Sequence, residues 1–110
     1  EIPTDSLIKY KDTLAWLYID FGRYAEATTL ANALLKESLE KFPENKDFLG
    51  ARYHLLASIY EKTQEYASAL PAAQRAYEYR ASALPETHKD VIEAKTQLDR
   101  IQAAIQEEEK

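Results

Sequence analysis

Only one set of side chains in this sequence has the types and spacing of a catalytic group. His54, Ser58 and Glu61 stand at i, i+4 and i+7, so a single helical face would carry a base, a nucleophile and an acid. The chemistry of such a trio would be acyl transfer. That reaction also needs an oxyanion hole, usually of loop or helix-terminal amides, and mid-helix residues offer none. The expectation is therefore a polar surface lining, not a catalyst. His54 and His88 are too far apart in sequence, and too poorly supported by other ligands, to read as a metal pair. Glu107, Glu108 and Glu109 form a charge run that reads as a solvated tail.

Trp16 is the only tryptophan, and it falls off the main apolar stripe of its helix. Tryptophan and arginine are the residue types that most often anchor a partner. Two readings stand side by side: Trp16 anchors a partner, or it packs on a neighbouring unit or on sequence N-terminal to it.

A repeated helix pair positions these residues. LAWLYIDFGRYAEA, Leu14 to Ala27, returns 42 residues later as LASIYEKTQEYASA, Leu56 to Ala69. Identical at that spacing are Leu14/Leu56, Ala15/Ala57, Tyr18/Tyr60, Tyr24/Tyr66, Ala25/Ala67 and Ala27/Ala69. Self-similarity at a fixed period of this size marks a repeat architecture. Pro43 and Pro85 echo at the same spacing, each just beyond a long helical stretch that proline would stop.

Periodicity and punctuation predict five helices. The first runs from about Leu7 to Phe21, capped by Thr4, Asp5 or Ser6, with Leu7, Tyr10, Leu14, Leu17, Tyr18 and Phe21 as its apolar stripe. Gly22 ends it in a left-handed conformation. The second spans about Tyr24 to Phe42, the third about Phe48 to Thr63 with Asn45 or Asp47 as cap, and the fourth about Tyr66 to Ala83. Gln64-Glu65 makes the second turn without glycine, and Pro71 predicts a small bend in the fourth helix. The fifth runs from about Lys89 to Glu107 on a stripe of Val91, Ala94, Leu98, Ile101 and Ile105. That stripe either caps the last unit or belongs to a truncated repeat and self-associates. Thr96, Gln97, Asp99, Arg100, Gln102 and Gln106 on the opposite side favour the cap. The first unit is therefore about 7–46, the second about 47–88, and the capping helix about 89–107, in one domain.

Residue size explains the repeated letters. Ala15, Ala57, Ala27 and Ala69 allow helices to approach where they cross, while Leu14, Leu56, Tyr18 and Tyr60 fill the space beside them. Tyr24 and Tyr66 plug the corners with a hydroxyl at the solvent edge.

Composition narrows the function classes. With 45% hydrophobic and 30% charged residues, 110 residues suit one mostly helical domain and are too apolar for disorder. A net charge of −5 argues against nucleic acid, which needs clustered lysine and arginine. No apolar run approaches the ~20 residues that span a bilayer, so no membrane segment is expected. The absence of cysteine excludes disulfides, thiol catalysis and cysteine zinc sites, and fits a cytoplasmic setting. The chain opens at Glu1 and reads as an excised segment.

The pattern L-A-x-x-Y, five further residues, then Y-x-x-A resembles the tetratricopeptide repeat. The long period is similar to the kinesin-light-chain type. Gly22-Arg23-Tyr24-Ala25-Glu26-Ala27 fits its punctuation, Tyr66 to Pro71 carries its proline, and Thr87-His88-Lys89-Asp90-Val91 resembles its inter-unit loop. Two departures stand out. That type often carries an asparagine pair before L-A, where Asp12-Thr13 and His54-Leu55 stand here, and no basic clamp for a terminal carboxylate is evident.

The resemblance implies an all-α, right-handed superhelix of antiparallel helix pairs, about two repeats plus the capping helix. It also implies a concave groove lined by the first helix of each unit: Lys9, Asp12, Trp16, Ile19 and Asp20, then His54, Ser58, Glu61 and Lys62, then Thr96 and Arg100. The expected function is a non-catalytic protein-interaction scaffold without cofactor or metal. Asp12, Trp16, His54, Ser58, Glu61 and Arg100 would contact a peptide or helix of a protein partner. The alternative is self-association, as a homo-oligomer through the C-terminal helix, or a regulatory segment of a larger multidomain signalling protein.

Overall fold

A computed structural model describes all 110 residues as five helices without a strand: α1 (Thr4–Asp20), α2 (Tyr24–Lys41), α3 (Lys46–Lys62), α4 (Tyr66–Ala83) and α5 (Lys89–Glu108). Four of the five follow the periodicity to within two residues at each end. The first begins earlier than expected. Pro3 occupies its N-cap position, and its carbonyl accepts from Leu7 N–H at 3.0 Å. Proline suits a helix entrance because its fixed φ is already near helical. Thr4, Asp5 and Ser6 therefore lie inside the first turn and make no side-chain cap. Caps do form at α3, where Asn45 Oδ1 accepts from Phe48 N–H at 3.1 Å, and at α5, where His88 Nδ1 accepts from Asp90 N–H at 3.1 Å. Helix α4 continues unbroken through Pro71, whose ring lies on the exposed side.

The two turns inside the units close in the same way. Gly22 N–H donates to Ile19 O at 3.0 Å and Arg23 N–H to Tyr18 O at 2.8 Å; Gln64 N–H donates to Glu61 O at 3.1 Å and Glu65 N–H to Tyr60 O at 2.8 Å. This paired closure needs a left-handed residue after the helix. Gly22 adopts it at φ 75° without cost, whereas Gln64 adopts it at φ 61° against its own Cβ.

Each helix packs on the next, and α1 also touches α3, giving a slab of 53 × 34 × 21 Å. Alanines form the seams: Ala15, Ala27, Ala31, Ala57, Ala69, Ala73, Ala76 and Ala94 are fully inaccessible to solvent. Ile8, Leu34, Leu49, Leu55, Ile59 and Ile101 fill the volume between them. Tyr18, Tyr24, Tyr60 and Tyr66 pack half-buried against that core.

Helix α1 departs from its expected orientation. Its buried residues are Ile8, Ala15 and Ile19, while Leu7, Tyr10, Leu14, Leu17 and Phe21 of the predicted stripe are exposed. An amphipathic stripe states which face is apolar but not whether a neighbour exists to cover it. The equivalent surface of α3 has that neighbour: Leu56 is buried where Leu14 is open. At the other end, Val91, Ala94, Leu98 and Ile101 of α5 are buried within the chain. The surface expected to self-associate through the C-terminal helix is thus already covered, and the uncovered apolar surface lies at α1.

Candidate functional site

A groove of about 430 Å³ runs across α1, α3 and α5, lined by Trp16, by His54, Ser58, Glu61 and Lys62, and by Glu93, Thr96, Gln97 and Arg100. Five of the six expected contact residues (Trp16, His54, Ser58, Glu61 and Arg100) share this surface. The sixth, Asp12, lies one helical turn from Trp16 and outside the lining. Ile19, also expected in the groove, is a core residue.

The helix period puts His54, Ser58 and Glu61 on one face of α3, and α5 brings Gln97 and Arg100 opposite them. His54 Nδ1 lies 2.9 Å from Gln97 Oε1, and Gln97 Nε2 donates to Ser58 Oγ at 3.0 Å. The Ser58 hydroxyl donates in turn to the His54 backbone carbonyl at 2.8 Å. It does not meet the imidazole, so His54, Ser58 and Glu61 form no nucleophile–base relay. Arg100 embraces Glu61 with two nitrogens, Nη2 reaching Oε1 at 2.8 Å and Nε reaching Oε2. This bond holds the Glu61 carboxyl below its ordinary range and raises the guanidinium. Polar groups that look free in sequence therefore fasten α5 to α3.

The sequence pattern does not mark Gln97 or Glu93 as site residues, and it puts Gln97 on the solvent face. It is almost fully buried, in the place of an apolar side chain, because it satisfies both His54 and Ser58. The available signal was its spacing: Glu93, Gln97 and Arg100 lie at i, i+4 and i+7 on one face of α5.

Trp16 closes one side of the groove, its ring centroid 5.6 Å from that of His54 and tilted by 40°. It is half-buried, packed against the core on one side and lining the groove on the other. His54 is hemmed in by Gln97, Glu93, Asp12 and Arg80, with Nε2 3.3 Å from Glu93 Oε1. Burial lowers its pKa below the ordinary value, ahead of the opposing Gln97 hydrogen bond.

Beneath the groove sits a buried ion pair, with Arg52 Nε 3.3 Å from Asp12 Oδ1 and the Arg52 guanidinium over the Phe48 ring at 4.6 Å. Neither Asp12 Oδ1 nor Arg52 Nε makes a hydrogen bond, and Arg52 Nη1 and Arg80 Nε also lack one. Burial dominates both partners. It raises the Asp12 carboxyl in spite of Arg52, and it lowers Arg52 in spite of Asp12. Arg80 is held elsewhere, its Nη1 donating to Asp90 O at 3.3 Å and to Glu93 Oε1 at 3.2 Å.

No three His, Cys, Asp or Glu side chains gather as a metal site, and no helix is long and apolar enough to cross a membrane. No protein-family model matches the chain, and no curated protein matches its sequence.

Proposed function

We propose that the chain is a tetratricopeptide-like interaction module, a right-handed solenoid of two helix pairs and a capping helix, that binds a peptide or helix of a protein partner in the α1–α3–α5 groove. The observation that carries this reading is a half-buried Trp16 lining a surface to which three helices from different units contribute. A flat aromatic face beside satisfied polar groups is the arrangement of an anchoring contact with an ordered rim. Support for the solenoid comes from the two turns 42 residues apart that close with the same hydrogen bonds, and from the shared alanine seams.

The groove offers balanced charge. Glu61 is paired with Arg100, and Glu93 with Arg80, which leaves Lys62 exposed. The fitting ligand is a segment with an apolar side chain to lie on Trp16 and backbone polar groups to meet Thr96 and Lys62. Selection from a displayed random-peptide library, followed by titration, tests this. Trp16→Ala should weaken selected peptides at least tenfold while leaving helicity intact. Equal binding to wild type and Trp16→Ala would refute the groove.

A further inference from the structure

The side of α1 facing away from α3 carries Leu7, Tyr10, Leu14, Leu17, Tyr18 and Phe21, a stripe without a charged residue along the whole helix. Phe21 is 78% exposed and Tyr10 65%. Beside this ridge, α1 and α2 enclose a mostly apolar groove of about 500 Å³ over Leu14, Tyr18, Ala25, Leu30 and Ala33, with Glu26 and Thr29 as its polar members. We propose that this face is an isologous dimer interface, in which the Leu17–Phe21 ridge of one copy enters the α1–α2 groove of a second copy, and the reverse.

Three observations select a second copy. Ridge and groove lie on one face, so a two-fold axis satisfies both at once. The opposite end of the helix stack is unsuited to receive the ridge, since its depression is lined by Glu86, Thr87, Lys95 and Thr96 beside Tyr77, Val91 and Ile92. Head-to-tail stacking would bury Glu86 and Lys95, whereas the charges beside the α1–α2 groove, Arg23 and Glu26, pair with each other at 3.2 Å. The size also fits. At ~200 Å² for a large apolar side chain, the exposed parts of Leu7, Tyr10, Leu14, Leu17 and Phe21 come to roughly 550 Å² before the groove floor is added. Two copies with their floors reach the ~1,200 Å² at which standard interfaces begin, and one copy alone matches the largest patches monomers expose. This inference is independent of the α1–α3–α5 groove, which faces elsewhere.

Sedimentation equilibrium at ~0.15 M salt, where surface repulsion is screened, tests it. The expected result is a mass rising with concentration and levelling at twice the 12.6 kDa of one chain. Leu17→Glu/Phe21→Glu should return the mass to one chain, and Ile92→Glu, at the other end, should leave the dimer intact. Should the double variant lose helicity, Phe21→Glu alone decides, because Phe21 lies outside the helix and contributes little to the core. A monomer at every concentration, a mass that climbs without levelling, or a dimer that survives Phe21→Glu with full helicity would each overturn the proposal. A monomer captured only by a foreign amphipathic helix would overturn it too, and assign the face to that partner.

Discussion

The two helix pairs are built on one template but solve their interiors in opposite ways. In the first, the buried positions Ile8 on α1 and Ser38 on α2 are large and small; 42 residues on, Gly50 on α3 and Arg80 on α4 are small and large. The exchange has a clear steric basis, because a Cβ at Gly50 would stand 2.8 Å from Arg80 Cγ and 3.4 Å from Ala76 O. Ser38 is served within its own helix by a 2.7 Å bond to Leu34 O, whereas Arg80 reaches across to α5. Side-chain volume, not residue identity, is what the closely packed Gly50–Arg80 pair constrains. A second difference lies two residues along, where exposed Tyr10 corresponds to buried Arg52. The second pair packs against helices on both sides, α2 and α5, and the first against α3 alone.

The most severe way to break this contrast is to copy one half of the first pair into the second. Gly50→Ile should cost about 3 kcal/mol or more, seen as a lower urea midpoint, because the helix backbone cannot yield to the added side chain. Gly50→Ile/Arg80→Ser restores the first pair's large–small order and should recover more than half of that loss, although Arg80→Ser alone is destabilising. A double variant as unstable as the sum of the singles would mean that the exchange is coincidental.

The buried ion pair should behave next most strongly. Arg52→Met leaves Asp12 charged and without its partner, at a cost of about 2 kcal/mol, moderated because Asp12 retains some solvent. Asp12→Leu/Arg52→Met should lie within about 1 kcal/mol of wild type, since burial opposes the charge on both members.

A pH scan sharpens the difference between Asp12 and His54, which occupy equivalent positions. The folded pKa of His54 lies below its unfolded value near 6.5, so on acidification the unfolded chain takes up the proton first. His54 therefore contributes stability that is fully present above that value and lost as pH falls below it. Asp12 has the opposite sign: its folded pKa is raised, so its contribution is favourable at low pH and is lost as pH rises above about 3.8, through the folded value. Denaturant midpoints should fall between pH 7 and 5 in wild type and flatten there in His54→Gln. An unchanged slope in that variant would assign the dependence to other groups.

The smallest effects belong to the turns. Gly22→Ala should cost about 1 kcal/mol through backbone conformation alone, since nothing lies within 4 Å of the added Cβ. Gln64→Gly should be neutral or stabilise by less than about 1 kcal/mol, because relief of the left-handed strain is offset by glycine's greater unfolded entropy. Thermal midpoints of the two variants should move in opposite directions or leave only Gly22→Ala displaced.

Much of the fold was legible because helix period and proline punctuation are local signals. The alanine seams and the register of α2 to α5 followed directly from them. The open side of α1 was not legible, since Leu14 and Leu56 are the same residue in the same local pattern and differ only in having a neighbour. Helical spacing also accounts for five of the six expected positions sharing one surface. What spacing could not reveal is that Glu61 and Ser58 are engaged by α5, because those bonds join residues 39 apart. Gln97 was misjudged for a related reason: a polar letter reads as solvent-facing unless its buried partners are known.

The most direct test of the groove is an amide chemical-shift map of the chain on addition of a library-selected peptide. The account predicts perturbations centred on Trp16 and its indole N–H, Ser58, Lys62 and Thr96, with Leu14, Leu17 and Ala33 on the outer face of α1 and α2 unmoved. Perturbations centred on Leu14, Leu17 and Ala33, with the Trp16 indole unchanged, would contradict it and make the outer face the binding surface.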